Sequence, residues 1–292
     1  MSYDNKENRI FWDEMAVSRN WQKLGSPWRP SLKDVENYEI GIRCLFVKPK
    51  KILVLGATPE LRDLAAQLGK EIWLIDYSQN MLSEMTNLLK SADVKKEKWI
   101  IDSWSLSREL KKGSFDVILG DLVLRLIPYG QEEIFLKRIV DFLNPKGFFI
   151  VRIHLVNNFL QGFSAKKIIN STLALKKSFV SDKEGYIETL LMARFLDKNF
   201  SFRKQERIRK QSWIDINNYL QKNPKISFSR KRILREILSR FVKEKEIPYF
   251  FPREKKEIEK KLNIFFEIKN RLIAEDYQDS QYYPVFILKS RI

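Results

Sequence analysis

The stretch "KKILVLGATPELRDLAAQLGKEIWLIDYS", Lys50 to Ser78, limits the possible folds more than any other part of the chain. "KILVLG" is a short, almost wholly apolar run, the pattern of a strand covered on both faces inside a parallel sheet. "PELRDLAAQLG" has helical spacing and ends at a glycine, and "EIWLIDYS" is a second apolar run closed by an acid. Strand, helix and parallel strand make a βαβ unit with a right-handed crossover. Its turn, Gly56-Ala57-Thr58-Pro59-Glu60, holds one glycine where a dinucleotide-binding turn has three.

The alternation continues to Leu155. "NMLSEMTNLLKSA" and "QEEIFLKRIVDFL" read as helices, and "KWIIDSW", "SFDVILGD" and "FFIVRIHL" as strands, the last entered through the turn "NPKG". The expected class is α/β, a Rossmann-like, doubly wound and mostly parallel sheet. Four regions follow. Residues 1–48 form an N-terminal helical segment, 49–156 the sheet core, 157–262 a helical insertion, and 263–292 a closing antiparallel hairpin. In the first region Phe11 to Trp21 fits a short amphipathic helix that "GSPWRPS" breaks. Ser31 is then expected to cap a second helix, with Asp34 three residues on.

Composition narrows the chemistry. Hydrophobic residues make up 44% and aromatics 13% of 292 residues, which suits a globular fold. One cysteine, Cys44, excludes an internal disulfide, and with a single histidine, His154, Cys- or His-based metal sites are not expected. Cys44, in "IRCLF", reads as a small buried hydrophobe. The start "MSYDNKENRI" has no apolar signal core and no run approaches a membrane span, so a cytoplasmic protein without membrane contact is expected. The net charge of +17 is concentrated between Asn157 and Leu262, with 26 Lys and Arg against 12 Asp and Glu. That distribution fits a solvated helical surface, an acidic substrate or partner, or nucleic acid.

Asp76 lies twenty residues after Gly56, at the end of the second strand, where a carboxylate accepts both hydrogens of a ribose diol. To that point NAD and S-adenosylmethionine fit equally. The turn separates them. A dinucleotide needs a second glycine near Thr58 so that backbone can reach the pyrophosphate, and it needs positive potential at the helix start, where Glu60 stands. Thr58-Pro59-Glu60 instead reads as a helix start, with a Thr N-cap, Pro at the first position and an acid facing the dipole. S-adenosylmethionine has no phosphate and carries two cationic groups, so the acid suits it.

With these residues the core resembles class I S-adenosylmethionine-dependent methyltransferases over about Lys50 to Leu155 plus the terminal hairpin. "VLGATPEL" stands at the family's first motif, which implies that Gly56, Ala57 and Thr58 pass the methionine part. "LIDYSQNML" is similar to the second, implying Asp76 on the ribose and Tyr77, Ser78 and Met81 near the adenine. "IIDSWSL" is similar to the third, implying Asp102 on the adenine amino group and Ser103 or Trp104 in the pocket wall. "FDVILGDLVL" resembles the fourth, implying Gly120, Asp121 and Leu122 beside the methyl donor, and "LNPKGFFIVR" the strand-five motif. The N-terminal "W…LGSPWRPSLKDV" resembles bacterial members with a Gly-x-Thr-Pro-Glu turn, implying that Trp21, Arg29 and Asp34 cover the cofactor and that Arg29 meets its carboxylate.

His154 follows the fifth strand at the expected substrate edge and is the candidate general base. Asp116 is expected to fix a strand start, and Trp12, Trp21 and Trp28 to pack. "GDLVLR" after the fourth strand lacks the Asn/Asp-Pro-Pro-aromatic motif of enzymes that methylate nucleobase amino groups, and Cys44 precedes the core, so neither common nucleobase chemistry is expected. The expected function is methyl transfer to oxygen or nitrogen of a small-molecule or peptide substrate, with the insertion as a lid. Two competitors remain. One is an RNA-binding protein or RNA methyltransferase gripping phosphates through the insertion. The other is a non-catalytic scaffold.

Overall fold

The computed structural model describes residues 18–44, 48–104, 107–175, 183–200, 205–242 and 252–291. Seven strands form one sheet: β1 Lys51–Leu55, β2 Glu71–Asp76, β3 Glu97–Ile101, β4 Phe115–Asp121, β5 Leu143–Arg152, β6 Phe266–Leu272 and β7 Val285–Ser290. Their order is β3-β2-β1-β4-β5-β7-β6. The first five are parallel, and β7 runs antiparallel between β5 and β6. The "NPKG" segment lies within β5, where the pairing steps from Phe115–Leu143 to Val117–Phe148.

Strand alternation sends side chains to two cores. Leu53, Leu55, Ile118, Phe149 and Val151 face helix α5 (Glu132–Phe142) and helix α10 (Lys255–Phe265), which contribute Phe135, Leu136, Ile139, Ile258 and Leu262. Ile52, Val54, Leu74, Leu119 and Ile150 face helices α2 (Leu32–Arg43), α3 (Pro59–Leu68) and α4 (Gln79–Met85). Two expected boundaries therefore shift. Helix α10 belongs to the sheet layer, because Ile258 and Leu262 complete its core, and the insertion ends before it. Helix α2 is also a sheet-covering helix, with Tyr38 and Ile42 buried in the second core.

Local chemistry explains the element starts. Ser31 accepts from the Asp34 N–H while Asp34 accepts from the Ser31 N–H, the expected capping box. Asp116 accepts the backbone N–H groups of Lys50 (2.7 Å) and Lys51 (2.9 Å), fixing the entry to β1 as expected. Thr58 precedes α3 but makes no side-chain cap bond, contrary to expectation. Its ψ of 110° still lets Pro59 open the helix. Cys44 is exposed and not buried, because it follows the last turn of α2 at the helix end. The helix expected from Phe11 begins at Ser18 within the described residues (α1, Ser18–Lys23), and Trp12 lies outside them.

The insertion contributes α6 (Ala165–Leu173), α7 (Lys183–Lys198), α8 (Gln205–Lys222) and α9 (Phe228–Val242). Their own core includes Ile168, Ile169, Leu191, Met192, Phe195, Ile216 and Leu234. Helix α7 is buried on more than one side. Tyr186, Ile187, Leu190 and Ala193 pack on Leu122, Tyr277 and Tyr283 of the sheet unit. The insertion's two ends meet. Leu155 bridges Arg253, whose N–H donates to the His154 carbonyl at 2.8 Å. Among the described residues no helix is long and apolar enough to cross a membrane.

Beneath β2 and β3 lies a buried ion pair. Arg62 donates to both Glu97 oxygens (2.9 and 2.7 Å) and to the Leu82 carbonyl, and both side chains are 0% exposed. Glu97→Ala, which strands the guanidinium, is expected to cost about 3–5 kcal/mol in urea unfolding. Replacing both partners, Arg62→Met with Glu97→Leu, is expected to cost far less.

Candidate active site

The carboxyl ends of β1, β2 and β3 converge on the Gly56 turn. Gly56 has φ +91°, a left-handed conformation that favours glycine, and its N–H donates to the Ile75 carbonyl at 2.9 Å. A Cβ there would lie 3.7 Å from Asp76 Oδ2 and 3.7 Å from Trp104 Cζ2, so turn, carboxylate and indole enclose one spot. Asp76 is buried, with the Ser78 N–H on Oδ1 at 2.8 Å and Oδ2 on the side of the Gly56 turn. Trp104 is oriented by donating Nε1–H to the Ile75 carbonyl at 2.9 Å. Asp102 is partly exposed at the end of β3 and accepts the Ser103 N–H at 2.7 Å. Ala57, Thr58 and Ser103 are buried around this spot, and Tyr77 follows Asp76 with partial exposure.

Other expected residues have structural work instead. Ser78 caps α4 by accepting the Met81 N–H at 3.0 Å, and Met81 packs into the core with Ala57 and Leu61. Gly120 is pressed against the turn Val123–Leu126. A Cβ there would meet Val123 Cγ2 at 2.9 Å, and its carbonyl accepts the Tyr38 hydroxyl at 2.7 Å. Leu122 has φ 53° without being glycine, a strained position at the end of the central strand β4.

The carboxylate expected beside the methyl donor, Asp121, is occupied. Arg152 donates Nε–H to its Oδ1 (2.7 Å) and Nη2–H to its Oδ2 (3.1 Å). The same guanidinium reaches Asp34 Oδ2 through Nη1 at 2.7 Å, so Asp34 is a buried structural anion and not a cofactor cover. Burial works against the charge of Arg152, but Asp121 and Asp34 outweigh it and hold its pKa well above the usual arginine range. Burial pushes Asp34 up, with Arg152 opposing. The signal in the sequence was an arginine inside the apolar run "FFIVRIHL".

Arg29 does come to the first turn of α3. Its Nε–H donates to Glu60 Oε1 at 2.5 Å, while Glu60 Oε2 is buried with no hydrogen-bond partner. Trp21 is partly buried and packs against the core that holds Ala57 and Leu61. A carboxylate and a guanidinium side by side complement the ammonium and carboxylate of an amino-acid group. Among the described residues no three His, Cys, Asp or Glu side chains are placed to hold a metal ion.

His154 lies beyond β5 as expected, but it is buried under α7 and not open at an edge. Its Nε2 is 3.0 Å from Asp197 Oδ1 and 3.0 Å from the Tyr283 hydroxyl, and Tyr283 stacks on its ring at 4.5 Å. Neither partner was foreseen, because both come from segments far away in sequence.

No family model and no curated protein matches the sequence. Among solved structures, N-methyltransferase NodS from Bradyrhizobium japonicum, in complex with S-adenosylhomocysteine, superposes over 99% of this chain and 100% of that one, with TM-score 0.51 and 10% identity. The Burkholderia thailandensis 1,6-didemethyltoxoflavin-N1-methyltransferase covers 99% of this chain and 91% of its own, with TM-score 0.53 and 9% identity. A Rhodobacter sphaeroides protein named as a Zn-dependent alcohol dehydrogenase covers 99% and 100%, with TM-score 0.57 and 14% identity. At such identities the likeness is one of fold. Two of the three are named as methyltransferases, and β7, antiparallel between β5 and β6, completes the closing hairpin that the resemblance implied.

The fold is that of the class I methyltransferases.

Within the methyltransferase fold the sole histidine gives a stability test. Burial lowers the His154 pKa from 6.5, with Asp197 opposing. A depressed pKa means stability present above 6.5 and lost as pH falls toward the depressed value. Urea unfolding across that window is expected to show stability falling by up to about 1.4 kcal/mol per pH unit. In His154→Gln that slope should be absent.

Proposed function

We propose that this chain is an S-adenosylmethionine-dependent methyltransferase that acts on oxygen or nitrogen of an acceptor bound between the sheet edge and the helical insertion. One observation carries the proposal: the Gly56 turn is faced by the Asp76 carboxylate and followed by the Glu60 carboxylate, whose pairing with Arg29 leaves the first turn of α3 without the net positive charge that a pyrophosphate needs. The residues present fit the cofactor. Asp76 Oδ2 faces the turn, in place for a ribose diol. Glu60 Oε2 is a buried, unpartnered acceptor for an ammonium, and Arg29 beside it suits a carboxylate. Trp104 and Asp102 close the adenine side. S-adenosylmethionine supplies an electrophilic methyl group on a sulfonium. The chain's own part is to orient the two reactants and exclude water, which can provide most of the rate. Neighbours of the same fold with bound S-adenosylhomocysteine support this choice of cofactor.

Of the basic residues expected on helix α9, Lys231, Arg232, Arg235 and Arg240, the second and third are exposed, Lys231 is half-buried and the Arg240 side chain lies outside the described ones. Lys225, Arg230, Arg232 and Arg235 are exposed, while Leu234 is buried beneath them. Phe228 is the exposed aromatic among the described side chains of α9, which provides no row of rings for stacking bases. An acidic substrate or partner suits this face better than nucleic acid.

Calorimetric titration should show S-adenosylmethionine and S-adenosylhomocysteine binding and NADH not binding. Asp76→Ala is expected to weaken S-adenosylhomocysteine by roughly 10- to 150-fold, the worth of hydrogen bonds to a charged group. Glu60→Gln should weaken S-adenosylhomocysteine yet leave methylthioadenosine, which lacks the amino-acid end, unchanged. Binding of NADH, or Asp76→Ala without effect, would sink the proposal.

A further inference from the structure

We infer that the outer face of α9 docks an acidic, partly apolar segment of a protein partner, a reading that shares the insertion's basic face with the proposed function and is independent of the cofactor. Phe228 is the anchor, and Arg232 and Arg235 are the groups that pair with the partner's carboxylates.

The charge of this stretch is one-sided. From Ile216 to Arg235 there are six Lys and Arg and no Asp or Glu. Asp215, the acid just before it, is paired with Lys198 at 3.0 Å. Helix α6 is joined to α8 where the Tyr219 hydroxyl donates to Asn170 Oδ1 at 2.9 Å, and it adds the exposed Lys166 and Lys167 and no acid. Helical spacing sorts the side chains of α9. Leu234 is wholly buried, and Ile233 packs both on the insertion core and on the cluster that holds Leu122 at the end of β4. Phe228, Arg232 and Arg235, spaced i, i+4 and i+7, take the opposite face and are exposed, Phe228 by 82%. The stripe is about 10 Å long. The elbow that presents it is preformed. Lys231 Nζ donates to the Pro224 carbonyl at 2.7 Å, Asn223 Nδ2 donates to the Tyr219 carbonyl at 2.8 Å, and Ile226 packs on the insertion core. A preformed surface loses little freedom on binding.

The composition of the stripe selects the partner. Guanidinium groups meet carboxylates through two parallel hydrogen bonds, and an aromatic ring among arginines is the composition that dominates protein–protein binding energy. A helix lying on an anionic lipid surface buries its apolar face at the acyl boundary. On α9 that face, Ile233 and Leu234, is already covered by the protein's own core. Single-stranded RNA stacks its bases on successive rings, and the described side chains of α9 expose one ring. The partner segment therefore carries Asp or Glu at helical spacing around an apolar side chain that packs on Phe228. The inner face of α9 meets the Leu122 cluster, so a partner on the outer face lies one helix width, about 10 Å, from that cluster. The stripe and the Gly56 turn share no residue, and their two affinities are expected to vary independently.

Two fluorescein-labelled helical peptides built from Glu and Ala serve as probes, one with a leucine stripe and the other with alanine in place of each leucine. Anisotropy titration of the full chain is expected to show the leucine peptide binding more tightly than the alanine peptide, and both weakening as salt rises. Arg232→Glu with Arg235→Glu should weaken the leucine peptide by roughly 10-fold or more. The same double variant should leave S-adenosylhomocysteine affinity and urea unfolding unchanged. Phe228→Ala should remove the leucine peptide's advantage. Poly(U), or vesicles containing phosphatidylserine, bound more tightly than the leucine peptide at the same salt would overturn the inference in favour of RNA or lipid. So would absent peptide binding, or peptide binding indifferent to the double reversal. Calorimetry with S-adenosylhomocysteine on the same sample separates the two readings. A chain that binds the peptide through α9 but not S-adenosylhomocysteine loses only its cofactor, and one that binds S-adenosylhomocysteine while the reversal is silent loses only the docking surface.

Discussion

The Arg152 guanidinium holds together the parts that make the site. It is wholly buried, and it is stable there because two carboxylates from different elements neutralise it: Asp121 at the end of β4 and Asp34 in the first turn of α2. Tyr277 is within 3.4 Å of the same group, and the Tyr38 hydroxyl donates to Gly120 and accepts the Arg152 N–H. One side chain thus joins the central strands, the N-terminal helix and the segment before β7. The capping box of α2 is tied into it, because Asp34 serves the helix start with the same Oδ2 that meets Arg152. Buried charges tolerate few rearrangements, so this cluster fixes where the β4 and β5 ends lie relative to the segments that cover them.

The architecture was legible wherever it depended on local pattern. Apolar runs located the first five strands, three of them closed by the acids Asp76, Asp102 and Asp121, and the turn around Gly56 showed an acid at the helix start. Asp116 was readable as a strand-fixing residue because its work is done within the sheet's own edge. What stayed hidden required partners distant in sequence. Arg152 and Asp34 are 118 residues apart, and His154 and Asp197 are 43. Periodicity says which face a residue takes but not which chain segment covers that face. The same limit explains α10, whose charged sequence resembles the insertion although Ile258 and Leu262 belong to the sheet core.

Helix α7 shows how cover and core become one body. Arg194 pairs with Asp279 at 2.6 Å and donates to Thr172 at 2.8 Å, while Asp197 meets His154. The Gly25 N–H donates to Thr189, bringing the segment before Arg29 onto the same helix. The segment that carries Arg29 and the end of β5 that carries His154 are therefore both referenced to α7.

The bridge between Leu155 and Arg253 makes the insertion a closed loop with a narrow neck. Arg253 secures the neck by donating Nη2–H to the Leu124 and Ile127 carbonyls, and so anchors it to the turn after β4. Between the two ends the path is set by α7, whose contacts with Leu122, Tyr277, Asp279 and Tyr283 hold the insertion on the sheet unit. The neck therefore starts and ends the insertion at one point beside the turn after β4, so that its helices leave and rejoin the sheet unit as a single excursion of the chain.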